Sequence, residues 1–345
     1  MKIKQIDSSN FEDFFAFQNI AYPSRIEAQE RFKFQFLENH LLLDKSCPFI
    51  LVAYDTDYLG KKKIVAQYAS NPFEYCFNGI TKPCFCGCDL YVVEDKRKYG
   101  LGGLLSLKAI KSYKPHISIG VSNEAKPLLE SLNMSKIGEV HTFLWINKIL
   151  SIPKYLFHQL SDAKIDLAVD EKLLYPEIEY SDKFKNITSL ESWDCDLNKE
   201  DVFKFLRNIS FLKWRFFTRP GYYFYLGEKQ TYFVLKKINL RGLNILVILD
   251  YHCNLNDKDT FTAILDITKK IAKKNCCDGV LTMSSHAFFD SRLIKKFFLK
   301  VGAPFDIYVN IIELFSKEKI KQRETTYLTM ADSDLEFAFW PKNNR

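Results

Sequence analysis

The sequence lacks any long hydrophobic run. Of its 345 residues, 47% are hydrophobic, which is ample for two cores. No stretch approaches the roughly 20 consecutive apolar residues that a membrane-spanning helix needs. The first ten residues, MKIKQIDSSN, contain no apolar signal core. We therefore expect two domains, no membrane span and a cytoplasmic location.

The nine cysteines include no CxxC pair. Cys84, Cys86 and Cys88 alternate along a predicted strand, so their side chains form a straight row that suits tetrahedral zinc coordination poorly. We interpret them as small buried hydrophobic residues and predict no metal site. An odd number of cysteines without a secretory signal predicts free thiols in a reducing compartment.

The charge is not gathered in one place. Lys and Arg number 49 against 42 Asp and Glu, a formal net charge of +7 that suits anionic ligands. Acids and bases alternate along most of the chain, whereas a nucleic-acid-binding protein would carry a basic stripe. We therefore expect no nucleic-acid partner.

The glycine-containing stretch Asp89–Lys111 also lacks both common nucleotide motifs. It reads as a strand at Leu90–Val93, a basic glycine turn and an amphipathic helix. A P-loop would continue with Lys and Ser or Thr, but Gly103 and Leu104 follow Gly102. A dinucleotide fingerprint would place its third glycine where Leu105 stands.

This turn nevertheless has the properties of a phosphate cradle. Gly100, Gly102 and Gly103 have no Cβ, so the backbone can curl and point successive N–H groups at one anion. The start of the following helix adds its positive dipole end. Full positive charges stand next to the glycines on Lys96, Arg97 and Lys98.

Arg97-x-x-Gly100-x-Gly102 resembles the pyrophosphate-binding signature Q/R-x-x-G-x-G/A of the GNAT acyltransferases. The resemblance implies acetyl-CoA or another acyl-CoA as co-substrate, with the preceding strand holding its pantetheine arm. A glycine-rich turn with a solvated basic face is the alternative interpretation. The implied cofactor-binding residues are Leu90, Tyr91, Val92, Arg97, Lys98, Gly100, Leu101, Gly102, Gly103 and Asn123.

A second stretch resembles another signature of this family. After a predicted strand at His116–Val121, Asn123 is placed to cap a helix. The family's Gly-Phe corner is Asn133-Met134 here, and asparagine tolerates the left-handed conformation. Leu129 stands where many members carry a tyrosine as general acid, so no tyrosine acid is expected at that position.

The order of predicted elements over residues 1–148, β-α-α-β-β-β-α-β-α-β, is that of the GNAT fold. The strands are Met1–Asp7, Phe49–Tyr54, Lys63–Tyr68, Leu90–Val93, His116–Val121 and Glu139–Ile146, and the first helices are Phe11–Ile20 and Arg25–Leu43. Residues 149–186 are weakly patterned and read as a connecting segment.

Residues 187–345 repeat this order. The predicted strands are Ile187–Trp193, Tyr222–Leu226, Thr231–Ile238, Asn244–Asp250, Gly279–Met283, Asp306–Ile312 and Thr326–Met330, and the helices are Lys199–Arg207, Asp257–Lys274 and Ser291–Val301. We predict an α/β fold of two tandem GNAT-like lobes, each with a mixed, mostly antiparallel sheet flanked by helices. Tyr251–Lys258 has no glycine cradle, so the second lobe is expected to form the acceptor side.

The aromatic run Phe211–Tyr225 and the segment Thr329–Asp334 resemble features of tandem acyltransferases and Fem-type aminoacyl transferases associated with bacterial cell-surface polymers. Arg215 lies among aromatic residues, and a buried guanidinium needs a partner. It either pairs with Asp332 or Asp334, or it binds an anionic acceptor. The aromatic side chains of the run are interpreted as core packing rather than substrate stacking.

The resemblance implies direct transfer of an acyl group from the thioester to an amine, which must arrive neutral and therefore needs a base. Asp89 is the first candidate, His141 and Glu94 are further ones, and no metal or covalent intermediate is required. His286, after a predicted strand, is a candidate on the substrate side.

The favoured function is an acyl-CoA-dependent N-acyltransferase that transfers an acetyl group to a small amine, with an amino sugar of a surface-glycan precursor as acceptor class. The alternatives are an amino acid or peptide acceptor, Fem-type transfer, an acyl carrier protein as donor, or a non-catalytic CoA-binding module. Acyl chain length and oligomeric state stay open.

Overall fold

The computed structural model describes residues 2–23, 28–56, 60–121, 123, 125–148, 153, 169–177, 183–193, 202–240, 242–255, 257–310 and 326–333. The chain divides into two compact units. The first consists of Met1–Tyr75, Ile80–Gly138 and Asp306–Gln322, and the second of Cys76–Gly79, Glu139–Phe305 and Arg323–Arg345. A late segment of the chain therefore belongs to the first unit.

The first half contains the predicted order of strands and helices. The strands are β1 (Lys2–Gln5), β2 (Ile50–Thr56), β3 (Lys62–Phe77), β4 (Ile80–Val92), β5 (His116–Ile119) and β6 (Ser135–Ile146). The helices are α1 (Phe11–Ala21), α2 (Ala28–Phe32), α3 (Leu101–Ser112) and α4 (Lys126–Ser131). Strands β1 to β5 lie side by side in chain order, with β4 and β5 parallel.

The sheet of the first unit has a helical layer on each face. Alternate residues of β2 point to opposite faces, and they belong to two different core clusters. One cluster, with α1 and α2, contains Phe14, Phe17, Phe32, Ile50 and Val52. The other, with α3, contains Leu51, Ala53, Leu101 and Leu105.

The helix predicted at Arg25–Leu43 is shorter in the structure. Among the described residues, α2 continues as a π-helical turn at Lys33–Leu37, and the chain then turns away at Asn39. The Asn39 side chain accepts a hydrogen bond from the Leu41 amide and donates one to the carbonyl of Pro72. An asparagine that bonds the local backbone in this way competes with helix continuation.

The second half contributes β7 (Val169–Glu171), β8 (Phe184–Ile187), β9 (Lys204–Phe205), β10 (Tyr223–Gly227), β11 (Tyr232–Leu240), β12 (Leu243–His252), β13 (Gly279–Ser284) and β14 (Leu299–Val309). Its helices are α5 (Ile209–Leu212), α6 (Lys258–Lys274) and α7 (Ala287–Lys295). In the second unit β12 and β13 are parallel, whereas β11 pairs antiparallel with both β10 and β12.

Four predictions for the second half were wrong. The strand predicted at Thr326–Met330 is a single bridge at Thr326, and a 3₁₀ helix begins at Met330. The described end of the predicted helix Lys199–Arg207 is extended, because the Phe203 carbonyl accepts from the Tyr327 amide, 2.8 Å away. The helix predicted at Ser291–Val301 ends at Lys295, and Phe297 takes a left-handed φ of 60°. The strand predicted at Ile187–Trp193 instead covers Phe184–Ile187.

Two local structural features occur in both units. A π-helical turn follows a short helix at Lys33–Leu37 and again at Lys213–Phe217. The corner after α4 has Asn133 at a φ of 61°, and the corner after α7 has Phe297 at 60°. In each corner, the next residue's amide bonds to a carbonyl five residues back, Leu129 and Leu293 respectively. This is the six-to-one bond of a Schellman motif.

Candidate functional site

Strands β4 and β5 of the first unit pair over only three residues. Their register runs from Phe85 opposite His116 to Gly87 opposite Ser118, and β4 then continues to Val92. Five further residues extend β4 by about 16 Å. We call the gap between Leu90–Val92 and the end of β5 the wedge, and Gly87 marks its vertex.

The far side of β4 is held in place along the wedge. The Val93 amide donates to the Val65 carbonyl at 3.0 Å, and Gln67 Nε2 donates to the Asp89 carbonyl at 3.0 Å. Asp89 has a left-handed φ of 52°. This kink lies between the last residue paired with β5 and the open edge of β4.

The predicted glycine turn is present but offers fewer amides than expected. Residues Glu94–Tyr99 form a 3₁₀ helix, and Gly100 follows with a left-handed φ of 68°. The Gly100 amide already donates to the Arg97 carbonyl at 3.1 Å. The left-handed position explains why glycine is favoured there, since most other residues would be strained. Gly100 therefore shapes the turn and does not lend its amide to a ligand.

The amides that are available to a ligand directly follow Gly100, in the first turn of α3. The first bond of this helix runs from the Leu104 amide to the Gly100 carbonyl at 3.1 Å. Within the described part of the chain, the amides of Leu101, Gly102 and Gly103 donate no hydrogen bond, as expected for a helix start. They fit a phosphate group.

The packing around Gly102 shows that the interior does not require glycine there. A Cβ at this position would find its nearest neighbour, Val92 Cγ2, at 3.7 Å, an ordinary contact. Internal packing therefore does not explain why glycine stands at this position. This is the property expected where a ligand approaches the backbone closely.

Of the three basic residues beside the turn, Lys96 is engaged with the protein itself. Its Nζ lies 2.7 Å from Asp55 Oδ2, and this hydrogen bond raises the pKa of Lys96. Arg97 is exposed and donates through Nε to the Val92 carbonyl at 3.2 Å. Lys98 is exposed as well, with Nζ 5.3 Å from the Tyr99 ring centre. Arg97 and Lys98 are therefore the cations that an anion could reach.

The side chains of Tyr91 and Val92 lie on opposite faces of the sheet, one in the cluster of α1 and α2 and the other in the cluster of α3. Leu90 is exposed, and Val92 is buried in the cluster of α3. The Tyr91 ring lies 6.0 Å from Phe17 and 5.5 Å from Tyr22, measured between ring centres. The backbone of these residues is the part that a ligand in the wedge would contact.

Asn123 does not cap α4, contrary to the sequence prediction. The helix begins at Lys126 with Ala125 at its N-cap and a proline in its first turn. Asn123 is exposed. Because proline supplies a helical φ and needs no hydrogen-bond partner for its nitrogen, it can start the helix without a side-chain cap.

The two candidate bases belong to different units. Asp89 forms an ion pair with Arg31 at 3.4 Å, and both side chains are 5% exposed. His141 is buried in the second unit, with Nε2 3.1 Å from Lys300 Nζ and 3.7 Å from Glu139 Oε2. Each is thus engaged with charged neighbours.

A tyrosine from the end of the chain lies next to the position where the family's tyrosine acid would stand. Leu129 is buried in a small cluster with Ile110, Met134 and Tyr308. The Tyr308 hydroxyl donates to Glu130 Oε1 at 3.0 Å, and burial raises its pKa to about 12. The sequence contains no signal for this contact, because about 180 residues separate Tyr308 from Leu129.

One prediction for Arg215 was an ion pair with Asp332, but in the structure Asp332 pairs with Arg207. Arg207 Nη2 lies 2.6 Å from Asp332 Oδ1, and Nε lies 2.8 Å from Asp250 Oδ2. Arg215 is buried and donates to the Ala331 carbonyl at 3.3 Å. Asp334 lies outside the described residues.

His286 has a structural role. It is the N-cap of α7, where its Nδ1 accepts from the Phe288 amide at 3.2 Å. A small cleft lies elsewhere in the second unit. It is lined by Lys204, Phe205, Leu206, Arg207, Tyr251, His252, Tyr327 and Thr329.

The equivalent gap in the second unit is bridged by the protein itself. The register of β12 and β13 ends at Ile248 opposite Thr282. Beyond it, the Tyr251 hydroxyl donates to the Met283 carbonyl at 3.2 Å, and Leu328 exchanges two hydrogen bonds with Ser285. At the start of α6, the Asp257 carboxylate accepts from the Thr260 amide. The start of α6 is thus capped by the Asp257 carboxylate, whereas the start of α3 in the first unit has amides without a cap.

Two further findings concern the whole described chain. Among the residues described, no helix combines the length and apolar character needed to cross a bilayer. The same residues contain no group of three His, Cys, Asp or Glu side chains arranged to hold a metal ion. Cys84 and Cys86 are buried, and neither forms a disulfide bond with another described cysteine.

The sequence matches no known family model and no curated protein, but its structure resembles solved acyltransferases. A GCN5-related N-acetyltransferase from Anabaena variabilis has 14% identity and a TM-score of 0.55, covering 89% of this chain and 72% of that one. A Saccharomyces cerevisiae N-myristoyltransferase with bound myristoyl-CoA has 13% identity and a TM-score of 0.56, covering 89% and 79%. A GCN5-related N-acetyltransferase from Kribbella flavida has 11% identity and a TM-score of 0.52, covering 89% and 71%. The chain therefore has the α/β fold of these acyltransferases, with two GNAT-like lobes.

Proposed function

We propose that the protein is an acyl-CoA-dependent N-acyltransferase whose first lobe binds the donor. The observation that carries the proposal is the pairing of an open strand edge, Leu90–Val92, with three amides at the start of α3 that donate no hydrogen bond among the described residues. An extended arm with a diphosphate at one end matches both features. The fold similarity to proteins that use acyl-CoA supports the same assignment.

In this proposal the pyrophosphate is held by the amides of Leu101, Gly102 and Gly103, with Arg97 and Lys98 adding charge. The pantetheine arm bonds to the backbone of Leu90, Tyr91 and Val92. The bound donor supplies an activated acyl thioester. Positive charge and helix-start amides are a common way to bind phosphate groups.

The acceptor is a neutral primary amine, and we propose an amino sugar of a surface-glycan precursor in the cytoplasm. Asp89 and His141 remain the candidate bases, and Arg215 and His286 the candidate residues on the acceptor side. The paired π-helical turns and left-handed corners support a tandem origin from halves at 1–148 and 187–345, joined by 149–186. The bridged gap in the second unit supports a single donor site per chain.

A non-catalytic CoA-binding module is the second candidate. The observation that favours it is Leu129, which is buried and apolar where the family's tyrosine acid would stand. Turnover separates the two candidates. The acyltransferase releases free CoA thiol when acetyl-CoA meets a suitable amine, and the module binds without release.

The donor site is tested with Gly102→Ala and the control Leu104→Ala, by calorimetric titration with acetyl-CoA. The added Cβ would block close approach of the diphosphate, and we expect affinity to fall at least about tenfold. Folding should not suffer, because alanine is favoured over glycine in helices by up to about 1 kcal/mol. Leu104 is exposed and its amide is already bonded, so its variant should bind normally. Equal affinity of Gly102→Ala and the wild type would refute the site.

A further inference from the structure

A cluster of polar side chains lies on the face of the first sheet that carries α1 and α2, beside the vertex of the wedge. It surrounds Cys88, the residue that follows the last residue of β4 paired with β5. We call it the polar cluster. Its members are Gln18, Arg31, Gln35, Gln67, Asn71, Cys88 and Asp89. Such a group is unusual within an otherwise aromatic core, because burying polar groups costs free energy unless they are hydrogen-bonded.

Most of the cluster is satisfied internally. Arg31 Nε donates to Gln35 Oε1 at 3.0 Å, and the Arg31 guanidinium pairs with Asp89. The amide of Gln18 bonds to that of Gln67, which in turn donates to the Asp89 carbonyl. These bonds tie α1 and α2 to β3 and to the kink in β4. They form a preorganised polar wall.

Asn71 is the exception. Its side-chain Nδ2 lies 3.8 Å from Cys88 Sγ, but its Oδ1 has no hydrogen-bond partner among the described residues. The residue is 5% exposed. A buried carbonyl oxygen without a donor costs about 1–3 kcal/mol. A ligand that supplies a donor to this oxygen would recover that cost.

The position of this oxygen indicates which chemical group would bind to it. In the proposed donor complex the pantetheine arm runs along Leu90–Val92 toward the vertex, so the thioester reaches the neighbourhood of Cys88. The group that must meet the thioester there is a primary amine, which carries N–H donors. A carboxamide oxygen can hold one of them while the nitrogen lone pair stays free.

Building on the proposed function, we infer that Asn71 is an acceptor-binding residue whose Oδ1 accepts a hydrogen bond from the incoming neutral amine. The nitrogen lone pair forms the C–N bond at the thioester carbonyl carbon, and the C–S bond breaks. The electron pair of that bond leaves with the CoA sulfur, which gains a proton as the nitrogen loses one. Asn71 holds the N–H that is retained in the amide product and takes no proton itself.

The test compares Asn71→Leu with the control Ser70→Ala. Ser70 is the adjacent residue of β3 and points to the opposite face, and its Oγ is also buried without a partner in the described part of the chain. Both changes remove an unsatisfied buried oxygen, so neither should lower the melting temperature. Only Asn71→Leu removes a group from the proposed acceptor site.

The kinetic assay contains acetyl-CoA and either glucosamine or glycinamide as the amine probe. It measures the release of CoA thiol. We expect Asn71→Leu to raise the KM for the amine at least about tenfold, with the KM for acetyl-CoA within about twofold of the wild type. Ser70→Ala should leave both values unchanged. An unchanged amine KM in Asn71→Leu overturns the inference, and so does an equal rise in Ser70→Ala.

A binding measurement separates failure of the inference from failure of the proposed function. The amines are titrated calorimetrically into protein saturated with a ketone analogue of acetyl-CoA, which cannot transfer its acyl group. If no amine is turned over but Asn71→Leu loses amine binding, the proposed reaction fails and the acceptor site stands. If the wild type binds neither amine, or Asn71→Leu binds as the wild type does, the inference is overturned.

Discussion

The Tyr68 hydroxyl lies 2.8 Å from Nε2 of His116, and Gly87 leaves the space for this contact. A Cβ at Gly87 would stand 2.1 Å from the hydroxyl and 2.6 Å from Nε2. Tyr68 belongs to β3 and His116 to β5, so the hydrogen bond reaches across β4 at the vertex of the wedge. It links the three strands just before β4 and β5 separate.

Gly87→Ala should therefore destabilise the protein by about 2–4 kcal/mol, through overpacking and loss of a buried hydrogen bond. The measurement is the free energy of unfolding in urea. Gly103→Ala is the matched control, since its Cβ would meet Leu128 Cδ1 at 3.4 Å, an ordinary contact. A Gly87→Ala variant as stable as the control would contradict the role given to this glycine.

The cations beside the glycine turn should differ in their effect on donor binding. Arg97→Ala should weaken acetyl-CoA binding roughly tenfold, and the loss should shrink at high salt. Lys96→Ala should change the affinity by less than about threefold, because Lys96 Nζ is held by Asp55. Calorimetric titration at two ionic strengths measures the affinity of each variant for acetyl-CoA and its dependence on salt. An equal loss for the two variants would place the phosphate elsewhere on the turn.

Acid should destabilise the fold through His116. Burial lowers the pKa of this histidine from 6.5 to about 4, so the folded state keeps it neutral. Between these pH values the unfolded chain binds a proton that the folded chain does not, and stability falls as pH decreases. The loss for this one group is about 3 kcal/mol.

Urea unfolding between pH 7 and pH 4.5 measures this effect, and His116→Gln should flatten the dependence. His40 and His252 also have a pKa lowered by burial to about 4, so some dependence remains in the variant. Carboxylates whose pKa is lowered, such as Asp306, act only below this window. A variant with the full slope of the wild type would show that His116 is not the group responsible.

The Arg207 guanidinium neutralises two buried carboxylates in the second unit. Arg207→Met should cost about 3–5 kcal/mol, because Asp250 and Asp332 would lose their cation. Burial already raises the pKa of Asp332. The double variant Arg207→Met, Asp332→Asn should recover part of the loss, because it removes one uncompensated charge. Lys213→Met, at an exposed position, should change stability by less than about 0.5 kcal/mol. A double variant no better than Arg207→Met would show that charge is not the cause.

Local elements were predicted well where local chemistry decides them. The strand, glycine turn and helix between Leu90 and Ser112 follow from a left-handed glycine and a helix start, which need only neighbouring residues. Asp257 caps α6 as a good N-cap residue should. The element order of the first half is likewise carried by periodicity and turn residues.

Predictions failed where distant residues intervene. Lys204–Phe205 has a sequence compatible with a helix, but pairing of Phe203 with the Thr326–Tyr327 backbone makes this segment extended. The partner of Asp332 is Arg207, which no local sequence pattern distinguishes from other arginines. The unsatisfied oxygen of Asn71 is visible only when three separate segments are folded around Cys88.

Local sequence specifies the strand–turn–helix that offers amides to an anion, because glycine conformations and helix starts are properties of a few consecutive residues. The folded chain sets which amides remain available, which cations are already paired and which polar groups converge at the vertex of the wedge. These depend on burial and on contacts between segments far apart in the chain, and no local pattern encodes them.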